Sequence, residues 1–275
     1  MNSFLRSLST TQQIGALFLV VFGVLSLVTI WAFVRGLRET PAGDADAAAA
    51  RKAKGRRLRG LLQTSWAMAT VFWVGWVLGD TAATVLFALV AFFALREFIT
   101  LSPTRRGDHR SLVLAFFVVL PLQFVLVGTR HFDLFTVFIP VYVFLALPVV
   151  SALANDPQRF LERSAKLQWG IMVCVYGMSH VPALLLLDFP GQEPGRGAFL
   201  VFYLVLSVQT CMVVQHLLGR RFPHQPVAPA VSQSFQWASW LAGVAVGGLV
   251  GGLLSFITPF KPGQALGMAL LASTA

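Results

Sequence analysis

Eight runs of about 20 apolar residues divide this chain, and a run of that length is what an α-helix needs to cross the bilayer core of roughly 30 Å. They cover about Ile14–Val34, Leu61–Gly79, Thr81–Phe98, Ser111–Gly128, Leu134–Ala154, Leu167–Leu187, Ala198–Leu218 and Ser239–Thr258. In lipid, every backbone N–H and C=O must be paired inside the segment. The pattern therefore predicts an all-α, polytopic transmembrane protein. Composition agrees. Of 275 residues 56% are hydrophobic and only 12% charged, where a soluble domain carries about 25%. With 24 Phe and 7 Trp, disorder is also excluded. The first run is too long for the apolar core of a signal peptide and no small-residue cleavage site follows it, so it reads as a retained span.

The basic residues orient the spans. Between the first two runs, Arg35–Gly60 is polar, Ala-rich near residues 44–50, and carries Arg51, Lys52, Lys54, Arg56, Arg57 and Arg59. It reads as a flexible linker, dividing the chain into 1–60, a span plus basic cytoplasmic linker, and 61–275, the transmembrane domain. Alternating the spans places segments 35–60, 96–110, 155–166 and 219–238 on one side, with 17 of the 21 Lys and Arg. The other side holds Arg6, Arg130, Arg196 and Lys261. By the positive-inside rule the first side is cytoplasmic and the N-terminus lies opposite. The net charge of +10 is thus an orientation signal toward anionic lipid headgroups. It requires no nucleic-acid partner.

The run Ala265–Ala275 is different. Its 11 residues make about 16 Å of helix, which is half of what a span needs. It reads as a partial ninth span of a chain truncated at its C-terminus, with a re-entrant or interfacial end as the alternative. No internal repeat supports an inverted-repeat transporter. Only His180 and a few Ser, Thr and Gln could line a path across the midplane.

Few residues carry obvious chemistry. Cys174 and Cys211 sit inside apolar runs and read as buried small hydrophobes. Glu97, beside Arg96, is the one carboxylate set within a mostly apolar helix, near the expected boundary, and reads as a snorkelled group. No Asp or Glu follows Glu193, so the last 82 residues supply no side-chain carboxylate for a Mg²⁺ site. No two of the five histidines have the i, i+4 zinc spacing. His180 either hydrogen-bonds a neighbouring helix or lines a polar cavity, with Pro182 kinking its span. Phosphate-binding glycine loops, nucleophile elbows and paired-cysteine motifs are missing. Gly243, Gly247, Gly248, Gly251 and Gly252 are spaced for close helix packing.

The loop from Gly219 to Trp237 is the most informative stretch. It joins Arg220 and Arg221, His224, three prolines and Ser232 to an aromatic-rich helix start at Phe235, Gln236 and Trp237. Arginines at a membrane face suit phosphate groups. Ser232 could cap the next helix, whose N-terminus favours an anion. A plain inter-helix loop would look similar.

This loop resembles the phosphatidate cytidylyltransferase (CDP-diglyceride synthase) family. Gly219, Arg220, Phe222, Pro229 and Ser232 fall in register with that family's pattern, followed by the glycine-rich span and the turn Thr258-Pro259-Phe260. Upstream, Ala94-Leu95-Arg96-Glu97-Phe98 looks similar too. Two departures stand out: Met212 occupies the family's Asp position and Phe235 its Lys position. The resemblance implies an integral-membrane enzyme of phospholipid synthesis, in a bacterial inner membrane, that converts CTP and phosphatidate into CDP-diacylglycerol and pyrophosphate. It implies Mg²⁺, bound by aspartates that would follow residue 275, so that no metal ligands are expected in this chain. Arg220, Arg221 and Ser232, then His224 and Gln236, are the expected phosphate contacts. Besides membrane lipids, a second copy of the chain is an open partner. A catalytically inactive, lipid-binding paralogue is the alternative, and a transporter a weaker one.

Overall fold

A computed structural model describes residues 9–38, 45–102, 104–189, 195–221, 227 and 235–274. The described residues are helical throughout, joined by short turns, and no strand occurs among them. They fall into two compact units, Met1–Leu186 and Leu187–Ala275. Among the described residues, six helices can cross a membrane by length and composition: Thr10–Val34, Asp80–Thr100, Arg106–Gly128, Phe132–Ala152, Gly197–Gly219 and Trp237–Ile257. The chain is a helical, polytopic membrane protein. The further runs expected to span, 61–79 and 167–187, are helical as well over most of their length.

The first unit begins with α1 (Thr10–Arg38) and α2 (Ala45–Leu78). Their contact is aromatic. Phe18 lies 5.2 Å from Phe72 and 5.4 Å from Trp76, ring to ring, and Trp66 Nε1 donates to Thr29 Oγ1 at 3.1 Å. The stretch expected to be a flexible linker is instead helical from Ala45 and runs unbroken into Leu78. Ala, Lys, Arg and Leu are all strong helix formers, which accounts for the difference. At 34 residues α2 is about 51 Å long, so its basic half extends past a bilayer core. Gly79 then turns the chain with φ 87°, a region that suits glycine.

Helices α3 (Asp80–Thr100), α4 (Arg106–Gly128), α5 (Phe132–Ala152) and α6 (residues 160–185) build the core of this unit. Leu95 and Ala91 of α3 are fully buried against Ala115, Val119, Ile139, Ile171 and Val175. Gly170 permits the closest approach: a Cβ there would sit 2.6 Å from the Phe98 ring. Each of α4, α5 and α6 widens into one π-helical turn, at Ala115–Val119, Phe138–Val143 and Met172–Gly177. A proline lies within or shortly after each, Pro121, Pro140 and Pro182. Missing proline N–H groups loosen the α-pattern of bonds.

Two basic segments expected to share a side, 96–110 and 155–166, do meet. Arg163, 8% exposed, lies 3.3 Å from Asp108 through Nε and 2.6 Å from Asp156 through Nη1. Asp108 also accepts the Arg105 backbone N–H at 2.9 Å. The Arg163 hydrogen bond holds the Asp156 carboxyl below its ordinary range, against an opposing push from partial burial. Lys166 does the same for Glu162 across one helical turn.

In the second unit, α7 (Gly197–Arg221), α8 (Trp237–Leu253) and α9 (Pro262–Thr274) pack by small residues. Ala265, Ala269 and Ser273 form one buried stripe on α9. A Cβ on Gly251 would fall on that of Ala269, and one on Gly247 would come 2.6 Å from Ser273 Oγ. The close-packing role expected for the glycine run is what the backbones require. Tyr203 Oη donates to the Ala265 carbonyl and ties α7 to α9.

Candidate functional site

The expected phosphate-binding loop joins α7 to α8. Arg220 and Arg221 are the last residues of α7, but their side chains, with His224 and Ser232 entirely, lie outside the described residues. Gln236 is described. It occupies the N-cap position of α8 in an extended conformation, and its side chain does not cap the helix. Helix α8 thus starts at Trp237, and the cap expected of Ser232 is corrected: the helix begins where the aromatic residues pack, four positions later. The Val227 N–H donates to the Phe235 carbonyl at 3.1 Å.

Beside this loop end lies a cavity of about 590 Å³, within the range of small-molecule sites. Its walls come from α7 (Cys211, Met212, Gln215), from the start of α8 (Trp237, Trp240) and from Ser273 of α9, with Phe235 at the loop end. Gln215 precedes Arg220 by about 8 Å of helix rise, so the basic end of α7 is close to this cavity. Phe235, Trp237 and Trp240 form an edge-to-face chain with ring centroids 5.8 and 5.6 Å apart.

Polar atoms enter this aromatic wall in a connected series. The Cys211 thiol donates to the Ser273 carbonyl oxygen at 3.4 Å, and Gln215 Nε2 donates to Cys211 Sγ at 3.3 Å. Ser273 is 7% exposed and its Oγ has no hydrogen-bond partner. Cys211 was expected to be a buried small hydrophobe; it is buried, free of any disulfide, and also bonded on both sides. A Gln four residues after a Cys on one helix is the signal that was available for this pair. Ser273 and Trp240 gave none, since only the helix packing brings them to α7.

Elsewhere the structure holds less. The gap beside Arg163 is about 20 Å³, room for a single water. Cys174 is buried and unpaired, as expected. Glu97 and Arg96 are exposed one turn from the end of α3, where a boundary group belongs. His180 bonds its own helix rather than a neighbouring one. Its Nδ1 lies 2.7 Å from the Tyr176 carbonyl of its own helix, and its ring packs on Phe135 at 4.9 Å. Gln123, fully buried, contacts Ser179 Oγ at 3.2 Å through Nε2 while its Oε1 has no partner. Among the described residues, no three His, Cys, Asp or Glu are placed to hold a metal ion, and no carboxylate lines the cavity. The described side chains do not fit a divalent ion.

Residues 60–275 match the sequence pattern of the cytidylyltransferase family. YnbB, an uncharacterized protein of Escherichia coli (strain K12), is 31% identical over 195 residues, which is 67% of this chain and 60% of that protein. The match thus spans less than two thirds of that relative's length. No solved structure matches the chain.

Proposed function

Because the chain belongs to the cytidylyltransferase family, we propose that it transfers the cytidylyl group of CTP to phosphatidate, yielding CDP-diacylglycerol and pyrophosphate. A phosphatidate phosphate oxygen attacks the α-phosphorus of CTP. The new O–P bond forms as the bond to the β-phosphate oxygen breaks, and pyrophosphate leaves with the electron pair. Positioning and charge neutralisation are what a protein contributes to such a transfer.

One observation carries this reading: the cavity between α7, α8 and α9 opens beside Phe235, which follows the stretch 219–232 whose sequence has the family's pattern. Arg220 and Arg221 would neutralise phosphate, with Ser232, His224 and Gln236 as further contacts. The diacyl chains would stay in lipid, and the site would open sideways to the bilayer. The Lys and Arg excess of the segments on that side supports a cytoplasmic face, and the family resemblance supports a bacterial inner membrane. The Mg²⁺ that the family implies would neutralise the phosphates; the described side chains supply no ligand set for it.

A second reading rests on Met212 and Phe235, which stand where the family's Asp and Lys are expected. In that reading the chain is an inactive paralogue that keeps the fold and binds lipid. Incubation of the purified protein with labelled CTP, phosphatidate and Mg²⁺ separates the two. CDP-diacylglycerol formation supports the enzyme; its absence, with CTP intact, supports the paralogue.

A further inference from the structure

The walls of the cavity restrict what can fill it. They are aromatic and apolar with a few polar atoms, and a triphosphate or a bare cation would be left without charge partners there. A hydrocarbon chain and the flat base of a nucleotide both suit such walls. The polar atoms favour the base. A hydrocarbon would leave the Gln215 amide facing carbon, whereas a heterocycle brings donors and acceptors to it. The ring faces of Trp237 and Trp240 suit a base, since every base has a π-face to stack.

The series through Cys211 also sets the orientation of the Gln215 amide. A thiol has one proton, and that of Cys211 is spent on the Ser273 carbonyl. Its sulfur can then only accept, so the Gln215 atom facing it is the NH₂. One of its two N–H groups is committed there, and the amide oxygen and the second N–H remain for a ligand. Gly243 secures this geometry, because a Cβ there would lie 2.6 Å from Gln215 Cγ and 2.9 Å from the Cys211 carbonyl. An acceptor at this point pairs with the exocyclic amine of cytosine. The second N–H then meets cytosine N3, whereas uracil presents the opposite order to the fixed amide, a carbonyl toward the oxygen and an N–H toward the nitrogen.

We infer that this cavity is the base pocket of the site, with Trp240 as the stacking platform and Gln215 reading the cytosine amine. The inference rests on the reading that the chain uses CTP, and it gives that reading a specificity device: the thiol bridge that turns Gln215. Gln215 and Trp240 are binding residues here, and Cys211 a positioning residue.

The test uses cytidine and uridine, which lack phosphates and so report on the base pocket alone. They are titrated into the purified full chain in detergent micelles while tryptophan fluorescence is followed. Cytidine should quench saturably and bind about tenfold tighter than uridine. Trp240→Leu should remove the quench. Gln215→Leu should bring the two nucleosides within about twofold, Cys211→Ala should narrow the ratio, and Cys211→Ser should restore it. Where CTP is turned over, Gln215→Leu should raise KM for CTP about tenfold, with the loss falling on KM more than on kcat. Equal binding of the two nucleosides, or discrimination that survives Gln215→Leu, overturns the inference even if CTP is consumed, and the proposed function then stands without it. Selective cytidine binding without turnover supports the pocket and counts against the activity. Quenching of Trp240 by lipids brominated on their acyl chains, with none by cytidine, overturns the pocket in favour of a hydrocarbon slot.

Discussion

Met212 of α7 and Phe235, just ahead of α8, line the same cavity. Where the resembled family carries a carboxylate and an ammonium, this chain presents a thioether and a phenyl ring to a common space, and the phenyl ring meets Trp237 edge-on at 5.8 Å. Phe235→Ala should remove that pair, worth about 0.5–1.5 kcal/mol. The expected effect is a two- to tenfold weaker cytidine Kd or CTP KM, read by titration or initial rates.

Glycine substitutions should separate packing from mere helix content. A methyl group on Gly251 falls on Ala269, so Gly251→Ala should cost about 1–3 kcal/mol through overpacking. At Gly267 on α9 a methyl group meets nothing within 4 Å, and Gly267→Ala should be neutral or stabilising by up to about 1 kcal/mol. Thermal midpoints of the two variants in detergent check the contrast. Equal midpoints would mean that α8 and α9 are farther apart than described.

The Asp156–Arg163 pair gives a pH dependence with a definite sign. The Asp156 carboxyl is held below its ordinary value of 3.8, first by the Arg163 hydrogen bond. A lowered folded-state value means that the pair stabilises the fold above that ordinary value and loses its contribution as the pH falls below it. Midpoints followed from pH 7 to pH 3 should therefore fall more steeply at the acid end for the natural protein than for Asp156→Asn. Arg163→Ala should lower the midpoint by on the order of 10 °C at neutral pH, because it leaves two carboxylates facing each other in a largely buried corner.

In the first unit, Gln123 Nε2 reaches Ser179 Oγ at 3.2 Å and the Phe135 carbonyl at 3.4 Å, and its Oε1 is unpaired. Bonds of this kind between membrane helices contribute about 0.6 kcal/mol on average. A double-mutant cycle with Gln123→Leu and Ser179→Ala should return a coupling below about 1 kcal/mol. A coupling above about 2 kcal/mol would point to a larger network than these residues form.

How much of this was legible beforehand follows from the period of the pattern. Runs of apolar residues specify helices, and the Lys and Arg count pairs segment 96–110 with 155–166, which Arg163 then joins. The helix through Ala45–Gly60 was not legible because its charge argued for a linker while its propensity argued for a helix. The start of α8 at Trp237 was missed because Ser232 is a better cap on local grounds than Gln236. The cavity was out of reach for a different reason. Cys211, Phe235, Trp240 and Ser273 are brought together by the glycine contacts of α8, and such contacts depend on tertiary packing that no local spacing encodes.

The most direct measurement follows the α-phosphorus of CTP. The purified full chain in lipid nanodiscs is given CTP labelled at that atom, phosphatidate and a divalent cation, and the organic extract is counted. The expected result is label in a chloroform-soluble CDP-lipid, dependent on phosphatidate, with one pyrophosphate released per lipid formed. CTP that stays intact, with no label in the lipid phase, would contradict cytidylyl transfer by this chain.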